Sequence, residues 1–172
     1  MCIRDRFSIA RKIPNTRIIP QAHTVCGQVG YAPYRLPGSL ELGTVIADTF
    51  AQGSDVVLLE NHGVVAGGDS LLAAFQRFET LDFCARTLIQ ARTVGEVHSL
   101  TDEDIALTRK RGKKLPTFKP TFHTSREREL RQHIIDLVHR AYDQQLMTST
   151  AGTVSARVDE NSFLITPYGL DR

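Results

Sequence analysis

The chain has no tryptophan, only two methionines and only three cysteines among its 172 residues. Cys2, Cys26 and Cys84 are odd in number and lie at no metal-like spacing. That excludes a disulfide framework and a thiolate zinc site, and the three read as reduced thiols of a cytoplasmic protein. Neither sign of charge dominates. With 21 Lys and Arg against 19 Asp and Glu, the formal charge is +2, so charge argues for no nucleic-acid and no membrane partner. No apolar run approaches the ~20 residues that cross a bilayer. The opening Met-Cys-Ile-Arg-Asp-Arg lacks the apolar core of a secretory signal. What is present is a globular balance, 41% hydrophobic and 23% charged. The length suits one domain core or two partial ones.

One stretch organises the rest. Val56–Leu59 is a short, largely β-branched run of strand type. Asn61-His62-Gly63 breaks it, residues 64–66 resume it, and Gly67-Gly68 ends it. Asp69 or Ser70 is placed to cap a helix that follows to about Arg92. Leu71, Phe75, Phe78, Ala85 and Leu88, with Leu72 and Ile89, recur at helical spacing and are expected to form its buried stripe. Glu79 and Asp82 are expected on its solvated side. His62 sits at the turn between the strands, where a side chain can point out of a packed scaffold into a cleft.

Upstream, Ile13-Pro14 and Ile19-Pro20 favour extended or turn backbone. His23 reads as a loop histidine, and residues 31–39 as a proline-punctuated loop. Ser39 is expected to cap a helix to about Ala51, with Leu42, Val45, Ile46 and Phe50 on one face. Downstream, Thr101 and three acidic residues suit the positive end of another helix, and the basic run 109–114 suits its negative end. Residues 113–123, with Pro116 and Pro120, read as a linker. Thr124 and Glu127 have capping-box spacing and open a helix to about Gln145. Leu130, Ile134, Leu137, Val138 and Ala141 are expected to face inward, with His133 and His139 solvated. A small-residue loop, Ala151-Gly-Thr153, then enters a strand that returns over 163–166. Such a loop, with its backbone N–H groups and hydroxyls, is suited to an anion.

Leu59-Glu-Asn-His-Gly-Val-Val-Ala-Gly-Gly68, with the helix after it, resembles the class II aldolase/adducin family. Ala32-Pro-Tyr-Arg-Leu-Pro-Gly-Ser39 matches the loop and helix start before it, and Leu100-Thr-Asp-Glu-Asp-Ile-Ala106 the closing helix. Ala151-Gly-Thr-Val-Ser-Ala-Arg157 and Phe163-Leu-Ile-Thr-Pro-Tyr-Gly169 are similar to the beginning of the same family. A later half therefore precedes an earlier half. The resemblance implies an α/β fold of αβα layers with a mixed, mainly antiparallel sheet, incomplete here. It implies residues 7–112 from a first domain, a linker at 113–123, and residues 124–172 from a second, tandem domain. Residues 1–6 read as a sequencing-adaptor sequence translated in frame and are set aside. The expectation is a gene fragment open at both ends.

In enzymatic members of the family, a zinc ion held by three histidines polarises the substrate carbonyl. Carried onto this sequence, His62 matches one zinc ligand. Gly152, Thr153 and Gly169 match the loops that hold the substrate phosphate. Thr153 stands where the family has Asn, and Tyr168 where it has Ser or Thr. The other two ligands come from a His-x-His element, and no two histidines here are separated by a single residue. No residue matches the family's acid/base glutamate. The resemblance implies a parent that is a zinc-dependent aldehyde-lyase, epimerase or dehydratase acting on a sugar phosphate or similar hydroxy-carbonyl compound, and a homo-oligomer. The other reading is a non-catalytic, adducin-like assembly domain, the fragment itself being inactive.

Overall fold

A computed structural model of the chain describes residues 3–110 and 123–167. The chain divides into two compact units, Met1–Arg111 and Gly112–Arg172. The expected linker 113–123 lies outside the described residues except for His123, as do Tyr168 and Gly169.

The first unit is built on a three-stranded sheet in the order β1 (Val29–Ala32), β2 (Val56–Leu59), β3 (Gly63–Ala66). β1 runs parallel to β2, with Val29 opposite Val56, and β3 runs antiparallel, with Leu59 opposite Gly63. All four β2 side chains are buried because helices cover both faces of the sheet. Val56 and Leu58 join Phe7, Ala22, Cys26, Leu81, Cys84 and Leu88 on one face. Val57 and Leu59 meet Val45, Ile46 and Phe50 of α3 (Leu40–Ala51) on the other. This is the expected layered, mixed α/β arrangement. Gly30 in β1 lets α3 approach closely: a Cβ there would lie 2.5 Å from Thr49 Cγ2.

Local signals hold where expected. Ser39 Oγ accepts from Leu42 N at 3.2 Å, and Ser70 Oγ accepts from Ala73 N at 3.1 Å at the start of α4 (Leu71–Val94). Thr101 and Asp104 form a complete capping box at α5 (Asp102–Arg109).

Other expectations need correction. Residues 20–26, read as extended or turn backbone, form α2 (Pro20–Cys26), which carries His23. Ile19 is extended, as a residue before proline should be, but Pro20 occupies N1, where its missing N–H costs nothing. Residues 29–32, read as loop in part, form β1. On α4 the buried face is Leu81, Cys84, Ala85 and Leu88, whereas Leu71 is 91% exposed and Phe75 48% exposed. The stripe fails at its N-terminal end because α1 (Ile3–Ile9), α2 and β3 all pack on α4, and the buried face follows those partners. Asp82 is not solvated: its carboxylate pairs with Arg86 at 3.1 Å and is 18% exposed.

Cys26 and Cys84 are free and fully buried. Burial pushes both thiols up to about 12. Since the thiolate is the nucleophile, iodoacetamide at pH 8 is expected to leave both unmodified in the folded chain and to label both in denaturant. Peptide mass spectrometry reads the outcome.

The second unit consists of α6 (Ser125–Asp143) packed over the hairpin of β4 (Ser155–Arg157) and β5 (Phe163–Ile165). Thr124 Oγ1 caps Glu127 N at 3.1 Å. The Glu127 carboxylate turns instead to His123 and Arg131. Val138 is buried, but Leu137, expected inward, is 51% exposed. The three-residue strands of the hairpin are too short to cover the whole apolar side of a 19-residue helix. His133 and His139 are exposed.

Candidate active site

The turn that carries His62 is built by β2 and held from two sides. β2 is fixed by burial on both faces, so its C-terminal end is a rigid support. At that end His62 N donates to Leu59 O at 3.2 Å. Asn61 takes φ +52, a left-handed conformation that asparagine tolerates better than most residues. Gly63 follows at φ +155, which a side chain would resist. His62 is exposed, as its place in the sequence suggests.

Glu60 anchors the turn to the loop after β1. Its N–H donates to Ala32 O at 3.0 Å, and Oε2 accepts from Tyr34 N at 3.0 Å. Oε1 pairs with Arg11 Nε at 2.6 Å. The Tyr34 N–H, the Tyr31 hydroxyl, Arg11 and Arg35 hold the Glu60 carboxyl below its ordinary value, against partial desolvation. A carboxylate so engaged suits anchoring. General acid–base work at neutral pH wants a value raised toward 7. On the opposite side, Ser8 is buried against the turn and bonds both its ends. Sequence reading missed Glu60, Arg11, Tyr31 and Ser8. Glu60 lies inside the motif itself, and that adjacency was the available signal. Nothing local marks Ser8.

The lowered carboxyls give a pH dependence with a definite sign. Glu60 and Glu127 both titrate below their ordinary values in the folded chain, Glu127 chiefly through Arg131. Above about pH 5 both states are ionised and the contribution is fully present. As the pH falls through the ordinary carboxyl range toward the folded values, the unfolded chain binds protons first and stability is lost. Urea midpoints are expected to drop between pH 6 and pH 3.5. Glu60→Gln should flatten that drop in signals from the first unit.

The second unit holds the candidate anion loop. Thr148 and Ser149 are buried, and Thr148 Oγ1 accepts from Ala151 N at 3.1 Å. Gly152 takes φ +102, a conformation open to glycine, and Gly152 and Thr153 are exposed side by side. Thr166 Oγ1 accepts from Val154 N at 3.2 Å, which ties the loop to the end of β5. Gly169, the remaining candidate, lies outside the described residues. A groove of about 360 Å³ between α6 and β5 is lined mainly by Ile134, Val138 and Leu164. Arg131, His139 and Thr166 stand beside the apolar side chains in its lining, and Thr166 is also the residue that accepts from Val154 N of the exposed loop.

A metal needs several donors converging on one point. Among the described residues no three His, Cys, Asp or Glu side chains are gathered to hold one. The donor set around His62 therefore does not fit the three-histidine zinc site that the resemblance implies.

The family model described as Class II Aldolase and Adducin N-terminal domain matches residues 7–89 and 132–172, well over half of the chain. The chain belongs to the class II aldolase/adducin family. It is 34% identical over 77 residues to a 5-deoxy-D-ribulose 1-phosphate aldolase of Bacillus thuringiensis, covering 43% of this chain and 34% of that one. It is 34% identical over 65 residues to an L-fuculose phosphate aldolase of Methanocaldococcus jannaschii, covering 38% and 34%. A solved L-fuculose 1-phosphate aldolase aligns with a TM-score of 0.54 at 31% identity, over 62% of this chain and 49% of that one. This family member thus spans about a third of the curated relatives it matches and about half of that solved structure. No described helix is long and apolar enough to cross a membrane.

Proposed function

We propose that this chain is part of a cytoplasmic sugar-phosphate aldolase, or a related epimerase or dehydratase, whose complete form is a metal-dependent homo-oligomer. The observation that carries the reading is the Asn61-His62-Gly63 turn. It presents one exposed imidazole at the end of a fully buried strand, anchored by Glu60 to Tyr34 and Arg11. The names of the relatives, all sugar-phosphate aldolases, support the substrate class. In this reading His62 is one zinc ligand of the complete enzyme, and Gly152, Thr153 and Gly169 belong to phosphate-binding loops. The other ligands are absent from this donor set, so no catalytic step is assigned to the 172 residues by themselves.

The same reading divides the chain into the later part of one domain, 7–112, and the earlier part of a second, 124–172, with residues 1–6 outside both. The family match beginning at residue 7, and the inverted order of the motifs, support that division. A longer chain containing this one is the test. Cleavage of ketose 1-phosphates to dihydroxyacetone phosphate and an aldehyde is expected with Zn²⁺, read as NADH consumed by an added dehydrogenase that reduces the dihydroxyacetone phosphate. His62→Ala should lower kcat/KM by at least ~10²-fold, the scale at which removing a group that stabilises transition-state charge acts. A longer chain that folds, cleaves none of these substrates and is indifferent to His62→Ala would favour the adducin-like assembly role.

A further inference from the structure

We propose that the outer edge of β5 is a self-association surface, on which a second copy of this chain adds its own β5 antiparallel about a two-fold axis at Leu164. The inference is independent of the reading of His62. β4 and β5 form a two-stranded sheet with Ala156 opposite Leu164. A lone hairpin is marginal in water and gains from further strands. Val158 N donates to Ser162 O at 3.0 Å, and Thr166 N donates to Val154 O at 3.0 Å. Bonded and non-bonded pairs alternate along an antiparallel ladder. Ala156 and Leu164 are therefore the bonded pair between those two, and the N–H and C=O groups of Phe163 and Ile165 point away from β4. Among the described residues these outward groups have no hydrogen-bond partner.

Charge and register select the occupant. An open edge is a template for another strand, and natural edges are kept apart chiefly by charged residues and proline. β4 carries Arg157 on its edge, whereas β5 and its flanks, Ser162-Phe-Leu-Ile-Thr166, hold no charge. Two identical β5 edges can thus approach without the like-charge repulsion that a charged edge meets in a copy of itself. With the axis at Leu164, all three residues of the strand are paired, and Phe163 of each copy lies opposite Ile165 of the other. Both residues turn their backbone groups outward, so each pair exchanges two bonds. A slip of one residue would set outward groups against inward ones. Phe163 and Ile165 are also the exposed side chains of β5, at 60% and 54%, while Leu164 is half-buried and lines the groove beside α6. Pairing brings an aromatic ring against a β-branched chain on each side of the axis, a cross-strand combination that stabilises sheets. Pro167 follows and has no N–H to prolong the edge. The two-fold contact uses the β5 edge of both copies, so assembly closes at a dimer. The strands are three residues long, so the contact is small and the dimer weak.

Sedimentation velocity of the full chain between about 10 µM and about 1 mM tests this. The weight-average mass is expected to rise from 19.2 kDa toward twice that value and to stop there. Ile165→Pro removes an outward N–H that the hairpin itself does not use, and Phe163→Lys puts a charge on the edge. Each should weaken the dimer at least about tenfold, with the far-UV circular dichroism unchanged. The lysine variant decides the matter if the proline variant does not fold. In a mixture of isotope-labelled and unlabelled chains, an intermolecular NOE from the Phe163 ring to the Ile165 methyl groups is expected. Leu71→Lys, in the exposed apolar part of α4, should leave the dimer intact. A chain that stays monomeric throughout would overturn the proposal, and protected Phe163 and Ile165 amides in that monomer would mean that the edge is paired within its own chain. A mass that climbs past two copies would also overturn it. So would a dimer kept in Phe163→Lys and lost in Leu71→Lys, which would place the association on the first unit.

Discussion

Leu81→Ala is expected to cost about 3–5 kcal/mol, the range for a buried leucine whose site cannot collapse. Leu81 has no exposed surface and lies in α4 among Phe7, Cys26, Leu58 and Leu88, on the face that covers β2. Those neighbours come from four separate elements, so no single one can shift to fill the void without opening another contact. Domains of this size carry only about 5–15 kcal/mol in total. The variant should therefore melt far below the parent, by about 4–8 °C for each kcal/mol lost, or fail to fold. The control is Leu71→Ala on the same helix. Leu71 is 91% exposed, and its loss should stay within about 0.5 kcal/mol. Thermal unfolding by circular dichroism separates the two. A larger loss for Leu71→Ala than for Leu81→Ala would mean that the buried face of α4 is the Leu71–Phe75 side read from the sequence.

That contrast shows where sequence reasoning stops. The helical spacing puts Leu71 in the expected stripe and leaves Leu81 out of it, because periodicity alone cannot fix which arc of an apolar-rich helix is covered. Which one is buried depends on where α1, α2 and β3 land on α4, and that information is spread over distant segments. Signals that act over three or four residues were legible. The caps at Ser39 and Ser70 fall where a hydroxyl precedes an apolar-striped run, and those at Thr101 and Thr124 where a threonine stands three residues before an acidic side chain. The β2–β3 hairpin was legible because β-branched runs flank a turn. α2 was not, since Pro20 reads equally as a turn residue or as the first residue of a helix. β1 was not, because it is four residues long and its parallel partner lies 27 positions away.

The candidate site divides the same way. His62 stands out because the Asn-His-Gly turn is local and carries the family resemblance. Glu60 is its near neighbour, yet its role appears only when β1 brings Tyr31 and Tyr34 alongside. Ser8 is a common residue in a short helix, and its importance comes wholly from being carried 54 positions onto the His62 amide. The exposed Gly152-Thr153 pair was legible as a small-residue loop. Its companion threonine, Thr166, shows its part only through the bond to Val154 N.

Zinc titration of the 172-residue chain is expected to show no tight stoichiometric site. A single imidazole should leave the dissociation constant weaker than about 0.1 mM, under ~5.5 kcal/mol, against ~10–16 kcal/mol for complete structural zinc sites. The physical reason is the donor count. Each further ligand on a preformed scaffold adds a bond whose ordering cost has already been met by folding, so affinity rises steeply only when several converge. Here the scaffold is formed, with β2, Glu60 and Ser8 holding the turn, but no three donors converge among the described residues. Competition with a chromophoric chelator measures the outcome. Tight one-to-one binding abolished by His62→Ala would refute the expectation and would mean that this chain assembles a site by itself, for instance between two copies. Weak binding here, joined to tight binding in a longer chain that carries a His-x-His element, would instead locate the missing chemistry in the added ligands, because the His62 turn would be the same in both.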